Sequence, residues 1–413
     1  MTETAAGGRR LLIRDLEQVA TPQARNDPPL RGDRLADVEV LEDAYVLCVD
    51  GRIEDVGRMR LLPPLDGEVV ELDGGGCCAI PGLVDCHTHS CFAGDRVEEF
   101  AVRAGGATYE ELHAAGGGIL STVRATRAAG EDGLREAVRV HRDWMLQAGT
   151  TTFEAKSGYG LDRETELASL RAIRTAGGVP TFLGAHAVPP EVNDPDAYIE
   201  FLIAEVLADA AELAEAADAF VERGAFTPEQ ARRYLVAAAD AGLRLRLHGD
   251  QFTELGAVDL AIELGAASVD HLEATSEQGV QALAQSDVTA VLLPASALFL
   301  GRPMPPGRTL VDAGAAIALA TDFNPGSAFC ESLPLVCSLA CTQLRLSPAE
   351  ALSACTVNAA AVLQRADRKG RLAPGYDADI VLLGAPDWRY LAYHLGGDVV
   401  AAVVKDGAPL WRR

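Results

Sequence analysis

Lysine is almost missing from this chain of 413 residues: Lys156, Lys369 and Lys405 are the only three, and every other basic residue is Arg. With a formal net charge of -24 there is no basic face for a phosphate backbone, which argues against a nucleic-acid partner. Long hydrophobic runs are missing too. The longest Ala- and Leu-rich stretch, 201–220, is interrupted by Glu and Asp, so no membrane span is expected. Residues 1–23 hold only Leu11-Leu12-Ile13 between charges, too short for the apolar core of a secretion signal. A disulfide framework is also lacking. The nine cysteines, an odd number, are scattered through apolar segments, and those flanking the central motif have no zinc-knuckle spacing, so they read as small buried hydrophobes in a reducing cytoplasm. Against this background a lysine at a strand end is conspicuous, and Lys156 is such a residue.

What is present is a large apolar reserve, 48% of residues, enough for one large domain and an accessory. The two chain ends carry β signals. Segments 45–49 and 53–56 are joined by Asp50-Gly51, a hairpin turn pair, and segments 379–383 and 399–404 are followed by Lys405-Asp406-Gly407. We expect these ends, 1–78 and 369–413, to form one small β-sandwich domain flanking residues 79–368. The central part alternates β and α. Strands are expected at 83–89, 151–156, 181–187, 219–222, 244–248, 268–271, 289–294 and 317–322. Helix starts are expected at Thr227, Thr275 and Ser347, each followed three residues later by Gln or Glu. Eight βα units predict an α/β fold of the (β/α)8 TIM-barrel type, in which catalytic groups sit at the C-terminal strand ends. A doubly wound sheet is the competing architecture, but it does not explain polar residues at so many strand ends.

Those ends carry the chemistry. His87 and His89, in Asp85-Cys86-His87-Thr88-His89, lie two apart on an expected strand and so share a face, where both can bind one metal ion. His248 ends the fifth strand and Asp322 the eighth. Three imidazoles and a carboxylate suit zinc best, and iron or manganese would also accept them. His271, at the sixth strand, is placed to orient or protonate substrate, and His186, at the third, to hydrogen-bond it. His113, His141 and His394 fall in helical or loop context and receive no role. Arg96 follows the first strand, where a guanidinium suits a substrate carboxylate; a surface ion pair is the alternative. Lys156 reads as a salt-bridge partner or a substrate contact, the first being favoured. In the loop after Asp322, Asn324 and backbone N–H groups can face a ligand. Gly116-Gly117-Gly118 lacks the Gly-Lys-Ser/Thr of a phosphate loop and reads as a flexible loop near the mouth.

Five segments together resemble the amidohydrolase superfamily and, within it, the imidazolonepropionase family. They are Asp85-Cys86-His87-Thr88-His89 with Gly94-Asp95-Arg96, Gly116-Gly117-Gly118-Ile119-Leu120-Ser121, Lys156-Ser157-Gly158-Tyr159-Gly160, Gly184-Ala185-His186-Ala187, and Asp322-Phe323-Asn324-Pro325-Gly326-Ser327. The resemblance implies hydrolysis of the lactam C–N bond of 4-imidazolone-5-propanoate to N-formimino-L-glutamate, a step of histidine degradation. It implies one zinc or iron ion held by His87, His89, His248 and Asp322, and substrate contacts from Arg96, Tyr159, His186, Asn324, Gly326 and Ser327. A cytoplasmic homodimer acting on a small molecule is implied as well. The expected fourth strand shows Phe220-Val221-Glu222-Arg223, without the lysine that bridges two ions in two-metal relatives, so one ion is expected. Certain relatives carry a catalytic Glu where this chain has Gln251; Gln cannot shuttle a proton, so proton transfer falls to Asp322 and His271, with Gln251 left a hydrogen-bonding part at most. A different cyclic amide or a nucleobase-like ring is the rival substrate. A scaffold without activity is disfavoured because all four ligands stand.

Overall fold

The computed structural model describes residues 9–23, 25–106 and 118–412, so His113 and most of the expected glycine loop lie outside the described residues. The chain divides into two compact units. One comprises Met1–Asp85, Met145–Thr152 and Ser332–Arg413, the other Cys86–Trp144 and Phe153–Glu331.

Both chain ends build one mixed sheet. Its strands are β1 (Arg10–Pro22), β2 (Val38–Val49), β3 (Arg52–Arg58), β4 (Val70–Asp73) and β5 (Cys78–Pro81) from the N-terminal side. From the C-terminal side come β14 (Ile380–Leu383), β15 (Val400–Lys405) and β16 (Ala408–Arg412). The order is β16-β15-β14-β5-β1-β2-β3, with β4 on β1, so the antiparallel β5–β14 pair joins the two ends. The two expected turns are present: Asp50 and Gly51 have φ of 50° and 80°, Asp406 and Gly407 48° and 72°. Positive φ at both central residues gives the turn twist that matches the flanking strands, and Asp-Gly adopts it cheaply. One face is apolar, packing Ile13, Leu16, Val46, Ile53, Ile380 and Val404 together.

The second sheet holds eight parallel strands in sequential order: β6 (Leu83–Asp85), β7 (Thr150–Lys156), β8 (Val179–Ala185), β9 (Ala216–Val221), β10 (Arg244–Gly249), β11 (Ser268–His271), β12 (Thr289–Leu292) and β13 (Ile317–Leu319). All eight expected strands are found. Their runs are apolar and buried; β8, Val-Pro-Thr-Phe-Leu-Gly-Ala, is buried at every position, as a strand covered on both faces requires. Where the last strand meets the first, Thr88 bridges Phe323, Asp322 N–H donates to His87 O at 3.1 Å and His89 N–H to Phe323 O at 3.0 Å. These bonds close the (β/α)8 barrel. They also explain why β6 ends at Asp85, earlier than expected: from His87 onward its backbone pairs with the loop after β13.

Two helix starts follow the expected pattern and one is shifted. Thr227 and Ser347 each form a reciprocal cap with Gln230 and Glu350. In the middle case the cap is Ser276, not Thr275, because the Thr275 hydroxyl donates instead to Asp250 Oδ2 at 2.7 Å. None of the nine cysteines is in a disulfide among the described residues; six are buried and three half-buried. No helix among the described residues is long and apolar enough to cross a membrane.

Candidate metal centre

Parallel strands whose side chains alternate bring residues from distant sequence to one end of the barrel. His87, His89, His248 and Asp322 are 0%, 3%, 3% and 1% exposed. His89 Nε2 lies 3.1 Å from His248 Nε2, and Asp322 Oδ1 lies 3.5 Å from His89 Nε2 and 3.6 Å from His87 Nε2. Ligand atoms about 2.0–2.2 Å from a tetrahedral zinc stand roughly 3.3–3.6 Å apart, so this spacing suits one ion. The donors form two overlapping groups, His87 with His89 and Asp322, and His87 with His248 and His271, each with its ligand atoms within 4.8 Å of one another. The structure thus brings His271 to the same place as the four expected ligands.

The electrostatics separate these imidazoles. Burial, with Lys156 and the neighbouring histidines adding to it, holds His87 and His89 well below the ordinary histidine range. Their rings are therefore neutral and have a lone pair to offer. For His271 burial also works against charge, but Glu273, Asp322 and Asp270 outweigh it and raise the pKa. His271 has φ of 86° and Asp322 of 57°, left-handed conformations that non-glycine residues seldom adopt. The turn at His271 breaks strand alternation, which is why the adjacent Asp270 and His271 both reach the centre.

Asp218, Asp270 and Glu154 were not anticipated. His87 Nδ1 is 2.6 Å from Asp270 Oδ2, and His248 Nδ1 is 3.0 Å from Asp218 Oδ1. A carboxylate on Nδ1 fixes the tautomer that presents Nε2 to a metal. Lys156, the conspicuous lysine, is a salt-bridge partner: its Nζ lies 2.8 Å from both Glu154 Oε1 and Asp218 Oδ2, fully buried. A signal for Asp218 was present. β9 begins at Ala216, three residues before the expected start, and Asp218 shares the face of Phe220 by alternation.

The other expected site residues surround this cluster unevenly. His186, half-buried, stacks on His89 with ring centroids 5.2 Å apart, and its Nδ1 donates to Gly158 O at 2.8 Å. Tyr159 lies 6.0 Å from the His89 ring and 5.4 Å from His186; burial pushes its hydroxyl up, so it is a neutral donor. Arg96 donates from Nε to Thr122 Oγ1 at 2.8 Å and makes no ion pair with any described residue. A Cβ at Gly326 would stand 2.2 Å from Arg96 Nη1, so the loop after Asp322 passes directly over the guanidinium. Within that loop Asn324 Oδ1 accepts from Gly326 N–H and Ser327 N–H, both at 2.7 Å, while Ser327 Oγ donates to Asp322 Oδ2 at 3.3 Å. Gln251 is buried on the turn after β10 and enters none of the cluster's hydrogen bonds.

Glu166 also escaped the sequence reading. Its buried carboxylate accepts from the N–H groups of Gly158, Gly160 and Leu161, which holds the loop that carries Tyr159. Leaving three such donors without a partner costs about 1–3 kcal/mol each. Glu166→Ala should therefore lower stability by at least ~3 kcal/mol in urea unfolding; a loss below ~1 kcal/mol would show that the loop is held by other means.

The fold and this set of donors define a metal-dependent hydrolase barrel, and comparison with known proteins agrees. Residues 78–409 match the amidohydrolase family. Among solved structures, an adenosine deaminase from Xanthomonas campestris with bound zinc superposes with a TM-score of 0.73 at 18% identity, covering 97% of this chain and 92% of that one. A guanine deaminase from E. coli gives 0.72 at 16%, covering 98% and 99%. At such identities the likeness concerns the fold. Curated relatives are nearer: the imidazolonepropionase of Rubrobacter xylanophilus is 60% identical, covering 98% of this chain and 99% of its own length, and that of Herpetosiphon aurantiacus is 45% identical, covering 96% of both. The chain belongs to the imidazolonepropionase family of amidohydrolases.

Proposed function

We propose that this protein hydrolyses the lactam C–N bond of 4-imidazolone-5-propanoate to N-formimino-L-glutamate, with one zinc or iron ion held by His87, His89, His248 and Asp322. The near full-length identity of 60% to a protein of that name carries the substrate, and the buried donor set supports the ion. A divalent ion bound there supplies a water of lowered pKa and polarises a carbonyl.

The chain's own residues do the rest. Asp322 takes a proton from the attacking water as the C–O bond forms, and returns it to the ring nitrogen as the C–N bond breaks. His271 donates to the oxygen that gains charge. Arg96, which meets no carboxylate among the described residues, pairs with the propanoate, and Tyr159, His186, Asn324, Gly326 and Ser327 bind and orient the substrate. Gln251 cannot move a proton, and its part is limited to hydrogen bonding. We assign residues 79–368 to the catalytic barrel and 1–78 with 369–413 to the β-sandwich domain, and place the enzyme in the cytoplasm as a homodimer.

The decisive assay follows loss of the imidazolone ultraviolet absorbance, with substrate generated in place by urocanase. We expect turnover with the purified enzyme, its loss after chelation, and its return with zinc(II) or iron(II). A folded, metal-loaded protein that leaves the imidazolone untouched would redirect the reading to another ring amide, with purine and pyrimidine rings tested in parallel.

A further inference from the structure

We infer that Lys156 is a positioning residue: it holds the carboxylates that orient two metal-binding imidazoles, and thereby sets the affinity of the centre for its ion. This rests on the metal reading above. Lys156 ends β7 and is completely buried. Its ammonium stands 2.8 Å from Glu154 Oε1, 2.8 Å from Asp218 Oδ2 and 4.0 Å from Asp270 Oδ2. Asp218 turns its other oxygen to His248 Nδ1 at 3.0 Å, and Asp270 meets His87 Nδ1 at 2.6 Å. One cation thus contacts the Asp218–His248 pair directly and stands at the edge of ion-pair range from the Asp270–His87 pair.

The strand register places these groups together. Arg246 lies opposite Asp218, and His248 opposite Asp270, which sets both carboxylates on the strands that flank β10, the strand of His248. With one oxygen pinned by the ammonium, the Asp218 side chain cannot rotate its second oxygen away from His248. That pinning fixes both the tautomer and the ring plane. A compact ammonium reaches several carboxylates from one point, whereas the planar fork of Arg matches one at a time. In a chain whose basic residues are nearly all Arg, this explains a lysine here. Arg246 plays the complementary part, with Nη1 donating to Cys86 O at 2.7 Å and standing 3.5 Å from Glu154.

A merely structural Lys156 would only balance buried charge, and the test separates the two roles. Wild type, Lys156→Met and the charge-balanced Lys156→Met/Glu154→Gln are stripped with chelator. Each is titrated with zinc(II) against a chromophoric chelator, and the visible bands of the cobalt(II) forms are recorded. We expect wild type to bind one ion and both variants to bind about 10–100-fold more weakly, with altered cobalt bands. Affinity within about threefold of wild type in the double variant means that charge balance suffices, and overturns the inference; so does wild-type affinity in Lys156→Met. Should neither variant fold, Lys156→Arg, which keeps the charge but not the single-point contact, decides: weakened binding supports the clamp, and unchanged binding overturns it. A wild-type protein that binds no ion overturns the metal reading itself, and this inference with it.

Discussion

Asp322→Asn is expected to keep the fold and lose about 10²–10⁴-fold in kcat, the range usual for removing a positioned acid–base group. Asn is the informative replacement because Asp322 has φ of 57°, and Asn tolerates that left-handed conformation better than other residues of its size. Ser327 Oγ, 3.3 Å from Asp322 Oδ2, still finds an oxygen or a nitrogen there. What disappears is a carboxylate 3.5–3.6 Å from two imidazole nitrogens, and with it the only proposed group able both to take a proton from water and to deliver it to the leaving nitrogen. Metal content must be measured beside kcat, because Asp322 is also a proposed ligand. Near-normal kcat with a full complement of metal would remove Asp322 from proton transfer.

Arg96→Ala is expected to raise KM by about 30- to 4,000-fold, corresponding to ~2–5 kcal/mol for truncating one partner of a desolvated charge pair, with a smaller change in kcat. The half-buried guanidinium makes no ion pair within the described chain, and its Nε is already committed to Thr122, so the free edge is what a propanoate would meet. Gly326→Ala offers an independent check. Its new Cβ would overlap Arg96 Nη1 and force the guanidinium aside without removing its charge. An intermediate rise in KM is expected for it. If KM in Arg96→Ala equals that of wild type, the carboxylate is anchored elsewhere.

The barrel and its metal-ligand candidates were legible in the sequence because their signals are local. Most of the strands are short apolar runs ending in a polar residue, and the spacing of His87 and His89 places both on one face. The turns at Asp50-Gly51 and Asp406-Gly407 were legible for the same reason, since Asp-Gly suits positive φ whatever surrounds it. The middle helix cap was misplaced by one residue because Asp250, far away in sequence, claims the Thr275 hydroxyl.

The sequence by itself determined the fold class, the number and order of the strands and the residue types available at the mouth, all set by periodicity and local backbone preference. Only the tertiary structure decided which carboxylate meets which imidazole. Asp218 and Asp270 look like ordinary strand residues until the barrel brings their side chains to His248 and His87, and until Lys156 is seen among them. Glu166 likewise gained its part when a helix brought it under the loop that carries Tyr159. Such pairings depend on how separate strands align in space, and no short-range pattern in the chain encodes that alignment.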